Sequence, residues 1–106
     1  MSHTKFKEAA EVLIVAGKMY VPAAVRDSWV AAHHDAIRRA RAMPGCLDLY
    51  LSADPMEDDR INMFEAWETE EQLDAWRAVA DAPPKPEGFK AEVFRYEISS
   101  MGPPFR

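Results

Sequence analysis

The sequence predicts an α+β domain, a four-stranded antiparallel sheet with two helices on one face. Three observations predict it. Runs rich in β-branched and aromatic residues alternate with stretches of helical period. Pro and Gly stand where one period gives way to the other. Two of the strand-like runs are apolar on both parities, so both faces of the sheet must be covered.

Residues 12–21, Val-Leu-Ile-Val-Ala-Gly-Lys-Met-Tyr-Val, form the first strand and stop at Pro22, which cannot donate to a ladder. Over 23–42 the period becomes helical. At about 100° per residue, Val25, Trp29, Ala32, Ala36, Ala40 and Met43 share a narrow arc. Arg26, Asp27, His34, Asp35, Arg38 and Arg41 fall mostly away from it. Pro44-Gly45 ends this helix, since Gly accepts positive φ. Strands over 46–53 and 60–68 flank the polar turn 54–59. Thr69 followed three residues later by Gln72 makes a capping-box pair for a short helix over 70–80, with Leu73, Trp76 and Ala80 on its apolar face. A Pro-rich loop, 82–88, leads to the fourth strand, 91–98. The order is βαββαβ, that of a ferredoxin-like fold. A single domain is expected over 1–106, with a core over 12–98 and a C-terminal arm over 99–106.

In the first strand Val12, Ile14 and Ala16 lie on one parity and Leu13, Val15 and Met19 on the other; in the third, Ile61, Met63 and Trp67 oppose Phe64 and Ala66. Two helices cover one face only. The second face would leave an apolar patch larger than monomers normally tolerate, so a homodimer through that face is expected.

Composition narrows the function. A net charge of −5 argues against nucleic-acid and anionic-membrane partners, both of which need a basic surface. The one cysteine, Cys46, cannot form an internal disulfide, and the opening MSHTKFKEAAE is polar rather than leader-like. The longest apolar run, 12–17, is far short of the roughly 20 residues that span a bilayer. A cytoplasmic location is expected.

The order strand, acidic turn, strand, capped helix over 43–76, MPGCLDLYLSADPMEDDRINMFEAWETEEQLDAW, places Trp67 and Trp76 at the two ends of the last junction. It resembles the antibiotic biosynthesis monooxygenase (ABM) family over about 12–98. The resemblance implies a face-to-face dimeric α+β barrel and, often, oxidation of aromatic substrates without metal or flavin. It also implies that the Trp of a Glu-x-Trp context, here Glu65-Ala66-Trp67, borders an apolar pocket under the helices. Many members carry a His where Trp76 stands. The heme-degrading branch has a Trp there, together with an Asn on strand 1 and a heme-ligating His about ten residues on. The corresponding positions here are near Gly17-Lys18 and Pro86, and no His follows His34. Heme degradation is therefore disfavoured.

Strand parity puts Met63, Glu65 and Trp67 on one face; with Trp29, Leu73 and Trp76 they are the candidate pocket. Trp67 reads either as an aromatic wall for a flat substrate or as a core residue pinning the second helix. His33 lies about 65° from the centre of the buried arc, at its rim, and is the candidate general base; a half-exposed helix histidine without a role is the plainer alternative. Tyr50 and Arg95 are candidate donors to a substrate oxygen, Tyr50 on either face. Asn62 should lie opposite Trp67. Adjacent His33 and His34 point about 100° apart and cannot chelate together, and neither a metal site nor a cofactor motif is seen. The expected activity is cofactor-independent monooxygenation of a phenolic, quinol or anthrone-like substrate with O2. The alternatives are a non-catalytic dimeric binding module, an isomerase or a heme-handling protein of the same fold.

Overall fold

The computed structural model describes residues 12–105; the polar segment 1–11, on which the expectation of no leader rests, and Arg106 lie outside the described residues. The elements are β1 (Leu13–Tyr20), α1 (Ala23–Ala32), α2 (His34–Arg41), β2 (Cys46–Ala53), β3 (Arg60–Trp67), α3 (Glu70–Val79) and β4 (Lys90–Glu97). The strands form one antiparallel sheet in the order β2-β3-β1-β4. This is the expected ferredoxin-like arrangement, with the first helix in two pieces.

Register fixes which side chains face the helices. Leu13, Val15, Gly17 and Met19 pair with Trp67, Glu65, Met63 and Ile61. On the other side of β3, Cys46, Leu49, Leu51 and Ala53 pair with the same four residues. Leu13, Val15, Met19, Leu49, Ile61 and Trp67 are buried, so this is the core face. Gly17 is required by the close approach of β4, because a Cβ there would meet the Glu92 carbonyl oxygen and Val93 Cα. The opposite parity carries Ile14, Phe64, Phe94 and Tyr96. Asn62 lies on this second face, opposite Trp67 as parity predicts, and donates to Asp54 Oδ1 at 2.8 Å.

The break between α1 and α2 falls at His33 and corrects the expectation of one continuous helix. The His33 N–H bonds the Val30 carbonyl at 3.0 Å, three residues back instead of four. The Trp29 carbonyl, left over, is taken by His33's own ring, with Nδ1 at 2.8 Å. Wheel arithmetic carried through this break misplaces residues. Val25 and Ala32 of the expected buried arc are exposed, Ala36 and Ala40 are buried, and His33 itself is buried at 8% exposure rather than at a rim.

Thr69 caps α3, accepting the Gln72 N–H at 3.2 Å. Its hydroxyl also donates to Gln72 Oε1, so the side chain of Gln72 answers the Thr hydroxyl and not the Thr69 backbone. Leu73 and Trp76 anchor α3 on the core. Residues 99–105 carry no helix or strand and are exposed.

Candidate functional site

Between the helices and the sheet lies a cavity of about 210 Å³. β3 supplies Met63 and Glu65, the α1–α2 junction supplies Trp29 and His33, α3 supplies Trp76, and the loop before β4 supplies Lys85 and Phe89. Trp29 organises one wall. Its Nε1 donates to the Pro84 carbonyl at 2.9 Å, tying the Pro-rich loop to α1, and Phe89 packs edge-on to it at 5.7 Å between ring centroids. His33 meets Trp29 in a T-shaped contact at 4.4 Å. Flat apolar walls of this kind suit an aromatic ligand.

The hydrogen bond at the break fixes the imidazole's chemistry. A carbonyl only accepts, so Nδ1 carries the proton toward Trp29 and the neutral ring keeps its lone pair on Nε2. No side-chain partner holds Nε2 among the described residues. Every buried side-chain nitrogen or oxygen there has a partner, so Nε2 remains accessible at the cavity. A fixed tautomer with an open lone pair is the arrangement of a general base.

Glu65 is the second ionisable group on the walls. Burial pushes its carboxyl above the usual range, while the hydrogen bond from Trp67 and the more distant charge of Arg77 pull it back only in part. Trp67 Nε1 donates to Glu65 Oε1 at 2.9 Å.

The structure thus gathers His33, Trp29, Met63, Glu65 and Trp76 in one cavity. Trp67 is completely buried behind it and touches the site through Glu65. Leu73 is likewise in the core and not on the cavity wall. Arg95 shares the helix-side parity of β4 but spends its guanidinium on Glu70 at 3.3 Å and Glu97 at 3.6 Å. Tyr50 lies on the other side of the sheet, stacked on Phe64 with centroids 5.5 Å apart. A bulge between Cys46 and Asp48 puts it there, by making Cys46 and Leu49 share a face. Met19, Leu49, Leu51 and Phe89 are wall residues not singled out from sequence. The alternation of β1 would have found Met19, whereas Leu49 and Leu51 reach this face through the β2 bulge and Phe89 through loop closure.

A tetrapyrrole does not fit these residues. The residues that the resemblance implies for holding heme are absent: Gly17 has no room for a side chain, and no His follows His34. Among the described residues no three His, Cys, Asp or Glu side chains cluster as a metal site. None of their helices is long and apolar enough to cross a membrane.

Comparison with known proteins agrees with the fold. The structure is similar to a candidate antibiotic biosynthesis monooxygenase from Chloroflexus aurantiacus J-10-fl, at 26% identity and TM-score 0.66, covering 86% of this chain and 95% of that one. A second such protein, from Caulobacter crescentus CB15, superposes with TM-score 0.67 at 15% identity, over 88% and 94% of the two chains. The heme-degrading protein Rv3592 of Mycobacterium tuberculosis also superposes, with TM-score 0.63 at 18% identity over 89% and 98%, a likeness that extends to the fold alone. No curated protein matches the sequence. Residues 12–82 match the model of the family described as antibiotic biosynthesis monooxygenase, and the chain belongs to that family.

Proposed function

We propose that the protein is a cofactor-independent monooxygenase that oxidises a phenolic, quinol or anthrone-like substrate with O2. The observation that carries this reading is the imidazole of His33, fixed by Trp29 with its Nε2 open to an aromatic-walled cavity. An electron-rich carbanion or phenolate can itself reduce oxygen, so the protein need supply only a base, a dry wall and oxyanion donors. For a benzylic methylene the reaction takes up one O2, leaves a ketone at that carbon and releases one water, and it balances without an external reductant. The four electrons that oxygen takes are the four the carbon loses. His33 is the base, Trp29, Phe89 and Trp76 are the walls, and Trp67 holds Glu65 in place.

The working form is a cytoplasmic homodimer joined through the second sheet face. Phe94 at 61% exposure and Tyr96 at 49% stand there beside Tyr50, Phe64 and Ile14, an apolar surface that a second copy would cover.

Oxygen consumption by chelator-treated protein against hydroquinones, naphthols and anthrones tests the reading. Uptake matched one-to-one by ketone or quinone, and insensitive to chelator, is expected. A flat trace from folded protein would contradict it and favour a non-catalytic binding module.

A further inference from the structure

Packing does not explain Glu65 at the cavity wall. It stands in the middle of β3 on the core face, and its cross-strand neighbours Val15 and Leu49 are both buried. A leucine would fit such a position without losing hydration, whereas a carboxyl must give up water. Among the described residues no Lys or Arg forms an ion pair with it. Its single hydrogen bond comes from the fully buried Trp67, which fixes Oε1. Among the described residues Oε2 has no partner and, since no buried side-chain oxygen there is left unpartnered, it stays accessible where Glu65 lines the cavity. Two open atoms of ionisable side chains therefore share one apolar chamber, Glu65 Oε2 from the sheet and His33 Nε2 from the helix junction.

We propose that Glu65, in its protonated form, is the general acid of this pocket. It donates to a carbonyl or hydroperoxide oxygen of a polycyclic ligand, opposite His33 as the base. The acid step rests on the oxygenation reading above. His33 takes a proton from the substrate methylene, and the carbanion adds O2 and recovers that proton, giving a secondary alkyl hydroperoxide. The remaining C–H proton then passes to His33 Nε2, its electron pair becomes the C=O π bond, and the O–O bond breaks toward the distal oxygen. That oxygen takes the Glu65 proton and leaves as water. The imidazolium returns a proton to Glu65, restoring both groups. The preference of a desolvated carboxyl for its neutral form works in the same direction.

The test separates binding from turnover. Fluorenone has an acceptor oxygen and no oxidisable carbon, and fluorene is the same skeleton without the oxygen. Their binding is read by quenching of tryptophan fluorescence, without O2, between about pH 5 and 9. The other titratable or charged groups around Glu65 are His33 and Lys85 on the cavity wall, Arg77 on α3 and Arg95 on β4. The comparison variant is therefore Glu65→Gln, which changes Glu65 alone. Its amide oxygen can still accept from Trp67, and its amide nitrogen is a donor at every pH.

For the wild type, fluorenone is expected to lose about tenfold in affinity as pH rises while fluorene does not, a loss of one hydrogen bond's worth. Glu65→Gln should bind fluorenone with that pH dependence gone. In turnover it should keep KM within about threefold and lose roughly 10²-fold or more in kcat, with hydroperoxide accumulating. Identical pH profiles for the two ligands, or an unchanged profile in Glu65→Gln, would overturn the inference. Failure of both ligands to bind at any pH would overturn it together with the pocket. The expected binding pattern without any oxygen uptake would overturn the oxygenation reading and its acid step, and leave Glu65 as the ligand's donor.

Discussion

The two faces of the sheet are built from alternate residues of the same four strands, and they meet different surroundings. On the helix face Leu13, Val15, Ile61 and Trp67 are sealed in the core, and the packing opens only at the cavity. On the other face Tyr50, Phe94 and Tyr96 remain 38%, 61% and 49% exposed, with Phe64 stacked on Tyr50. Both faces are apolar, so hydrophobicity alone does not say which is the site. The polar atoms do. The helix face holds an imidazole and a carboxyl, each tied at one atom and open at another. The second face has a different pattern, with aromatic side chains at its centre and the Lys18–Glu92 pair and the Asn62–Asp54 bond beside them.

The contrast can be broken from either side. The largest effect is expected on the helix face. Trp67→Ala removes a fully buried indole and, among the described residues, the one side-chain hydrogen bond of Glu65, and should cost about 3–5 kcal/mol in urea unfolding. On the second face Phe64→Asp should leave the fold intact and weaken the dimer by about 1–3 kcal/mol, roughly 5- to 150-fold in dissociation constant, by burying an unpaired carboxylate. Sedimentation over a dilution series reads this, and an unchanged monomer–dimer midpoint would show that the face is not the interface.

A smaller effect tests the ionisation of Glu65. Its folded-state pKa is raised, so the folded protein holds a proton that the unfolded chain gives up near the usual glutamate value of 4.5. Stability should therefore fall as pH rises from there through the folded pKa, and level off beyond it. Relative to wild type, Glu65→Leu should gain in Tm across that window and show no further gain above it. The smallest effect lies in the turn between β2 and β3. Asp54 accepts the side-chain N–H of Asn62 and the backbone N–H groups of Glu57 and Met56, which holds its carboxyl down at about 2 from an ordinary 3.8. Its contribution is present above the ordinary value and lost as pH falls toward 2, so Asp54→Asn should flatten this acid limb of the Tm–pH curve.

Much of this frame was legible in the residues. Pro22, Pro44-Gly45 and the Thr69–Gln72 cap mark real element ends, and α3 ends within one residue of its expected limit. Parity alone placed Met63 and Glu65 together and Asn62 opposite. Three features were not legible, for physical reasons. No Gly or Pro marks the break at His33, where the ring itself takes up the carbonyl that the break leaves over. The side on which Tyr50 falls depends on a one-residue bulge that leaves no signature in CLDLYLSA. The contribution of Phe89 and Lys85 depends on how the loop closes, and that closure is set by Trp29 bonding Pro84 from an element 55 residues away.

The most direct measurement is the oxygen-uptake rate on saturating anthrone for the wild type, His33→Ala and Tyr50→Phe, all chelator-treated and confirmed folded. If the cavity does the chemistry, His33→Ala falls by roughly 10²- to 10⁴-fold while Tyr50→Phe, on the opposite face, stays within about twofold of the wild type. Full activity in His33→Ala, or a loss in Tyr50→Phe as deep as the one expected for His33, would contradict this assignment of the two faces.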